Sequence, residues 1–242
     1  MTSTEPDAAT PGPLWLALRV IDEPDKVFEA LVARPVVLVP LLILMLISPA
    51  LMAWGMPDAV LRQQAERQVA AFAERQNLDD EAQARMIADS TTPTRRAIIF
   101  ASGAIGTIIF IAVTAGLLQL IFNATGRERL RFKQEFALVT HAWMPMFWGG
   151  VLMLVLWRVG GMTDIALSLG FLFDREDSPF LASFAGQLTL FGAWSMVLVA
   201  MGNQIFTRAK SLTGPLMIVG GLWLAAKVAF AAIGAVVGGL GG

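Results

Sequence analysis

Cysteine is absent from this 242-residue chain, and histidine occurs once, at His141. Without cysteine there is no disulfide framework, no thiolate nucleophile and no zinc site of the cysteine type. A single histidine leaves little for metal binding or a catalytic triad. Charge is scarce as well: Asp, Glu, Lys and Arg make up 15% of the residues, against about 25% in soluble domains. The net charge of −1 gives no bulk attraction for nucleic acid. The spacings H-E-x-x-H, G-x-S-x-G and G-x-x-x-x-G-K-[ST] are all missing. The expectation is a protein that is not an enzyme, with no catalytic, cofactor-binding or metal residues, no cofactor and no nucleic-acid partner.

What is present is apolar: 56% of the residues are hydrophobic and the mean hydropathy is +0.64. The run from Phe136 to Trp157 holds no Asp, Glu, Lys or Arg, and at 1.5 Å per residue it extends about 33 Å, enough for a hydrocarbon layer of ~30 Å. Four more long apolar runs lie at 36–54, 97–122, 184–206 and 212–237, the last with one lysine. They predict an all-α integral membrane protein, a bundle of five transmembrane helices. Residues 1–13, rich in Pro and Thr, read as a disordered tail, and 14–240 as one membrane domain. The tail has no Lys or Arg and the first long apolar run begins only at Val36, unlike a signal peptide, so the first span is expected to stay as an anchor.

Between these runs the pattern changes. Leu14 to Arg34 carries Val27, Phe28 and Leu31 at helical spacing and reads as a short helix lying on the membrane surface, or else as an ordinary solvated one. Pro40 and Pro49 predict bends in span one. Residues 56–96 read as a helical hairpin, its first helix starting at Pro57, its second opening with Asp79, Asp80 and Glu81, and Thr91-Thr92-Pro93 ending it. Ala112 and Gly116 give a small-xxx-small spacing in span two that permits close helix contact. Pro145 has no N–H for the carbonyl of His141 and frees one acceptor inside span three.

Polar residues inside such spans are candidate functional groups. Gln119, Asn123, His141, Asn203 and Gln204 would all lie toward one side and could line a cavity for a small solute or a proton. Amides at span ends also sit at headgroup depth and cap helices, which is the plainer alternative. Lys227 is the one formal charge well inside a run. An unpaired lysine there costs ~2.5–3.5 kcal/mol, so a partner is expected: a freed carbonyl, an amide oxygen or a lipid phosphate. A snorkelling side chain is again the plainer alternative.

The order of these features resembles the Yip family of five-span membrane proteins, in its bacterial form. Pro24, Phe28, Leu31 and Pro35 lead into span one, and a long polar loop follows. Span three opens FKQEFALVTHAWMP, and span four carries Phe191, Trp194 and Gly202. The resemblance covers Pro24 to about Ala226. It implies a cytosolic N-terminus and a noncatalytic protein acting through protein or lipid contacts in membrane organisation or trafficking-like processes. Eukaryotic members contact Rab-type GTPases; here only about 35 residues precede span one. A small-solute or ion permease is the alternative. The partners expected are membrane lipids, other membrane proteins, or a second copy through Gly234 and Gly238, which form G-x-x-x-G.

The expected location is the bacterial inner membrane. Five spans put the termini on opposite sides, and the short loops on the N-terminal side hold Arg127, Arg129, Arg131, Lys133, Arg208 and Lys210. Those on the other side hold Arg158 and Arg175, so the N-terminus is predicted to be cytoplasmic. A cysteine introduced at Gln64 should react with an impermeant reagent only from the outer side. Labelling from the cytoplasmic side alone would reverse the orientation.

Overall fold

The computed structural model describes residues 12–125, 129–160, 168–173 and 178–239. Within these, the side chains of 71, 72, 74, 75, 160, 179 and 234–239 are left aside. Among the described residues the chain is helical, with one isolated bridge between Ser168 and Thr189. In order come α1 (Pro13–Arg19), α2 (Pro24–Ala33), α3 (Leu38–Leu42), α4 (Ser48–Ala50), α5 (Asp58–Gln76), α6 (Asp80–Asp89) and α7 (Pro93–Ala124). Then follow α8 (Phe132–Ala142), α9 (Met144–Gly160), α10 (Pro179–Gly186), α11 (Leu190–Phe206) and α12 (Thr213–Gly239). Among the described residues four helical stretches are long and apolar enough to cross a membrane: Leu38–Gly55, Pro93–Ala124, Phe132–Val159 and Thr213–Ile233.

The segment before span one differs from the expectation. It forms two helices, and α2 does not lie free on a surface. Its apolar residues Val27, Phe28 and Leu31 are completely buried where α2 packs on α11 and α8. The helical spacing read correctly as an amphipathic face, but that face is covered by protein. Exposed pairs of Arg19 with Asp22 and Lys26 with Glu23 flank the turn between the two helices; such pairs contribute little.

Span one is irregular, as its prolines foretell. Turns of π-helix at Ile43–Ile47 and Leu51–Gly55 flank the short α4, which contains Pro49. Pro49 cannot donate a backbone hydrogen bond to the preceding turn, and a wider turn absorbs the mismatch. The hairpin after it is present: α5 packs on α6, and Asn77, with φ 49°, closes α5 in the left-handed region that asparagine tolerates. The Asp79 carboxylate accepts the Ala82 N–H at 2.7 Å and caps α6.

Two arginines grip the end of span one. The Arg96 guanidinium, 13% exposed, donates to the carbonyls of Ala53 and Met56 and pairs with Asp58. Arg158 Nε donates to Gly55 O at 2.8 Å. Arg96 lies at the start of α7 and Asn123 at its end, so the bundle has two distinct polar ends. The second is formed around Leu130, which both Asn123 and Gln119 hold.

Span three bends at Trp143, whose backbone (φ −87°, ψ −4°) separates α8 from α9 two residues before Pro145. Trp143 N–H reaches Val139 O at 3.1 Å, and Met146 N–H reaches Trp143 O at 3.0 Å. The span expected at 184–206 is broken. Helix α10 stops at Gly186, and Thr189 Oγ1 accepts the Gly192 N–H at 3.0 Å to start α11 afresh. Leu188 is drawn into a backbone bond from Leu169 N–H at 3.1 Å, an interruption that hydropathy alone does not register. The 17 residues of α11 extend about 25 Å.

The spacing of Ala112 and Gly116 does not mark a close contact, since a Cβ at Gly116 would meet open space. Close approach occurs instead where a Cβ on Gly202 would lie 2.7 Å from Leu138 Cγ and one on Gly103 would lie 3.1 Å from Pro49 Cβ. The backbone of Gly234 and Gly238 is helical, but their surroundings fall outside the described residues, as do Arg127, Arg175 and the tail at 1–11. Gly202→Ala should destabilise the protein by ~1–3 kcal/mol through overpacking on Leu138. Gly116→Ala should be neutral or gain up to ~1 kcal/mol from helix preference. Thermal unfolding in detergent compares the two.

Candidate functional site

At the start of α8 the Gln134 side chain folds back, its Oε1 accepting the Arg131 N–H at 3.0 Å. This cap fixes the first turn and turns Glu135 inward. Glu135 is completely buried. Its Oε1 accepts one hydrogen bond, from Asn203 Nδ2 of α11 at 3.0 Å, while Oε2 has no partner. The same Nδ2 donates to Val199 O at 3.0 Å, and Asn203 Oδ1 stands unpartnered. Thr207 Oγ1 donates to Asn203 O at 2.6 Å and tightens the end of α11. A carboxyl and an amide thus tie span three to α11 in the interior of the protein.

His141 is also fully buried. Its Nδ1–H donates to Ala137 O at 2.8 Å, one turn back, and Nε2 has no partner. The ring therefore serves its own helix. Gln119 Nε2 and Asn123 Nδ2 each donate to Leu130 O at 3.1 Å, and Asn123 Oδ1 accepts the Leu130 N–H at 2.7 Å. These two amides clamp the connection between α7 and α8. Gln204 enters through its backbone, its carbonyl accepting the Ala209 N–H at 2.9 Å where Arg208 takes φ 52°.

Lys227 is elsewhere, on α12. Its Nζ lies 5.7 Å from the Trp223 ring centroid, within reach of a cation–π contact. It borders a cavity of about 450 Å³ between α7, α11 and α12. A second cavity, of about 740 Å³, lies between span one, α7, α9 and α11. Gly106, Phe110 and Trp143 line both, and the edge-on pair of Phe110 with Trp143, centroids 4.8 Å apart, stands at their junction.

The six residues singled out from sequence therefore fall in separate places. Gln119 and Asn123 share one, Asn203 has Glu135, His141 bonds its own helix, Gln204 in the last turn of α11 accepts from the turn that follows, and Lys227 faces a cavity. The residue missed was Glu135, which sits next to the basic loop and reads there as part of the polar entry to the span. The helical spacing could have found it. Leu138, Val139 and Ala142, three, four and seven residues on, share its side of the helix and are all buried.

Asn203→Ala removes the one donor to a buried carboxylate oxygen and should cost ~1–3 kcal/mol. Replacing both Glu135 and Asn203 by leucine should recover much of that loss. Chemical or thermal unfolding of the detergent-solubilised single and double variants measures the difference.

No curated protein and no solved structure matches the chain. The Yip1 domain family does match, over residues 18–233, which takes in the helices from α2 to α11, all but the first residues of the α1–α2 segment and most of α12. With apolar helices long enough to cross a bilayer and a family match over most of its length, this membrane protein belongs to the Yip1 domain family.

Proposed function

We propose that the chain is a noncatalytic polytopic protein of the bacterial inner membrane that works through contacts with lipids or other membrane proteins. In this proposal residues 14–240 act as one unit, with the N-terminus cytoplasmic. The shortened α11 is the fifth span, beside the four longer ones.

One observation carries it. Gln119, Asn123, His141 and Asn203 each make a hydrogen bond within the chain, while large apolar side chains face outward. Ile109, Leu120, Met217 and Phe230 are each more than half exposed. Such a surface suits lipid tails or the helices of a partner. The gathered inner cavity that a small-solute permease requires finds no support, because Gln119, Asn123, His141, Asn203 and Gln204 have the separate attachments described above.

Reconstitution of the purified chain into liposomes tests this. Ions and common metabolites should cross no faster than in protein-free vesicles, and a photo-crosslinker at Ile109 should capture lipid or a membrane protein. Protein-dependent flux of any solute would overturn the proposal in favour of a permease.

A further inference from the structure

We infer that the cavity between α7, α11 and α12 is a binding site for an anionic phospholipid, with the headgroup at Lys227 and an acyl chain along the apolar wall. The inference rests on the contact function proposed above and names the lipid.

Three features of the cavity converge on this occupant. Lys227 has no carboxylate partner among the described residues, and its neighbour is the Trp223 ring. Ser195 Oγ and Trp143 Nε1 are both buried without a hydrogen-bond partner, and both residues line the cavity. A buried donor is costly to leave unpaired, and an oxyanion offers the acceptor that all three groups lack. Apart from Thr114 the rest of the lining is apolar, including Val113, Leu117, Leu222 and Phe230. A volume of about 450 Å³ falls within the ~300–1,000 Å³ of ordinary ligand sites.

The entry route selects a ligand already in the bilayer. Val113, Leu117 and Phe230 line the cavity and are also exposed on the outside of the bundle, so the occupant arrives sideways from the lipid. Depth is compatible with a headgroup. Lys227 stands fourteen residues after Thr213, about 21 Å along a hydrocarbon layer of ~30 Å. The far interface is then some 9 Å away by the same estimate, within reach of a lysine stem meeting a phosphate drawn inward. Gln187, at the break before α11, donates to Lys227 O at 3.4 Å, which places polar backbone at that level too.

The test uses the full chain in detergent, titrated with phosphatidylglycerol or phosphatidylcholine carrying brominated acyl chains. Quenching of Trp223 is the difference between wild type and Trp223→Phe. Phosphatidylglycerol should quench at a concentration about fivefold lower than phosphatidylcholine, the ratio expected for one lysine–headgroup contact. Lys227→Met should abolish the preference and Lys227→Arg should retain it. Should Lys227→Met not fold, Ser195→Leu keeps the charge, fills the cavity and should remove the quenching. Equal quenching by the two lipids, or an unchanged preference in Lys227→Met, overturns the site. Brominated oleic acid quenching as strongly as phosphatidylglycerol would replace the phospholipid by a free carboxylate and overturn the assignment. None of these outcomes bears on solute flux, so the site and the contact function fail independently.

Discussion

Glu135 is withdrawn from water and meets a single donor, the Asn203 amide, across two helices. In an apolar interior such a group is costly to leave unpaired, and its geometry constrains everything that touches it. The register of α8 against α11 follows from it: Gly202 comes directly against Leu138 and admits no side chain. Helix α2 then covers the same junction with Val27, Phe28 and Leu31. The opening of span three, the close of α11 and the segment before span one are thereby locked into one unit.

Irregular backbone is concentrated where those constraints relax. Span one carries two π-helical turns, span three is broken at Trp143, and the helix expected to open at Phe184 is interrupted between Gly186 and Leu190. In hydrocarbon each freed carbonyl or N–H needs a partner. Arg96 and Arg158 supply donors to Ala53, Gly55 and Met56, and Thr189 caps α11. The two cavities lie beside these breaks, separated by the Phe110–Trp143 pair.

The positions of the long apolar helices, the polar hairpin and the irregular backbone of span one were legible in the sequence, because length, charge and proline report on lipid exposure directly. The fate of α2 was not. An amphipathic face looks the same whether it meets headgroups or protein, and only the packing of Val27, Phe28 and Leu31 decides. The break at 187–189 escaped for a similar reason, since it depends on Ser168 and Leu169 returning from elsewhere in the chain. Of the candidate site, Asn203 and Lys227 stood out as polar residues in apolar runs. Glu135 did not, because a carboxylate beside a basic loop carries the composition of a solvated turn.

The unequal lengths of the helices bear on the bilayer itself. The apolar run of α7 at 97–122 extends about 39 Å, and the 17 residues of α11 about 25 Å. Span one is also shortened, because its 18 residues include π-helical turns. Hydrophobic mismatch of this kind is relieved by tilting the long helix and thinning the lipid beside the short ones, at a fraction of a kcal/mol for each Å. Lipid packed around the chain would then form an annulus of uneven thickness, deeper beside α7 than beside α11.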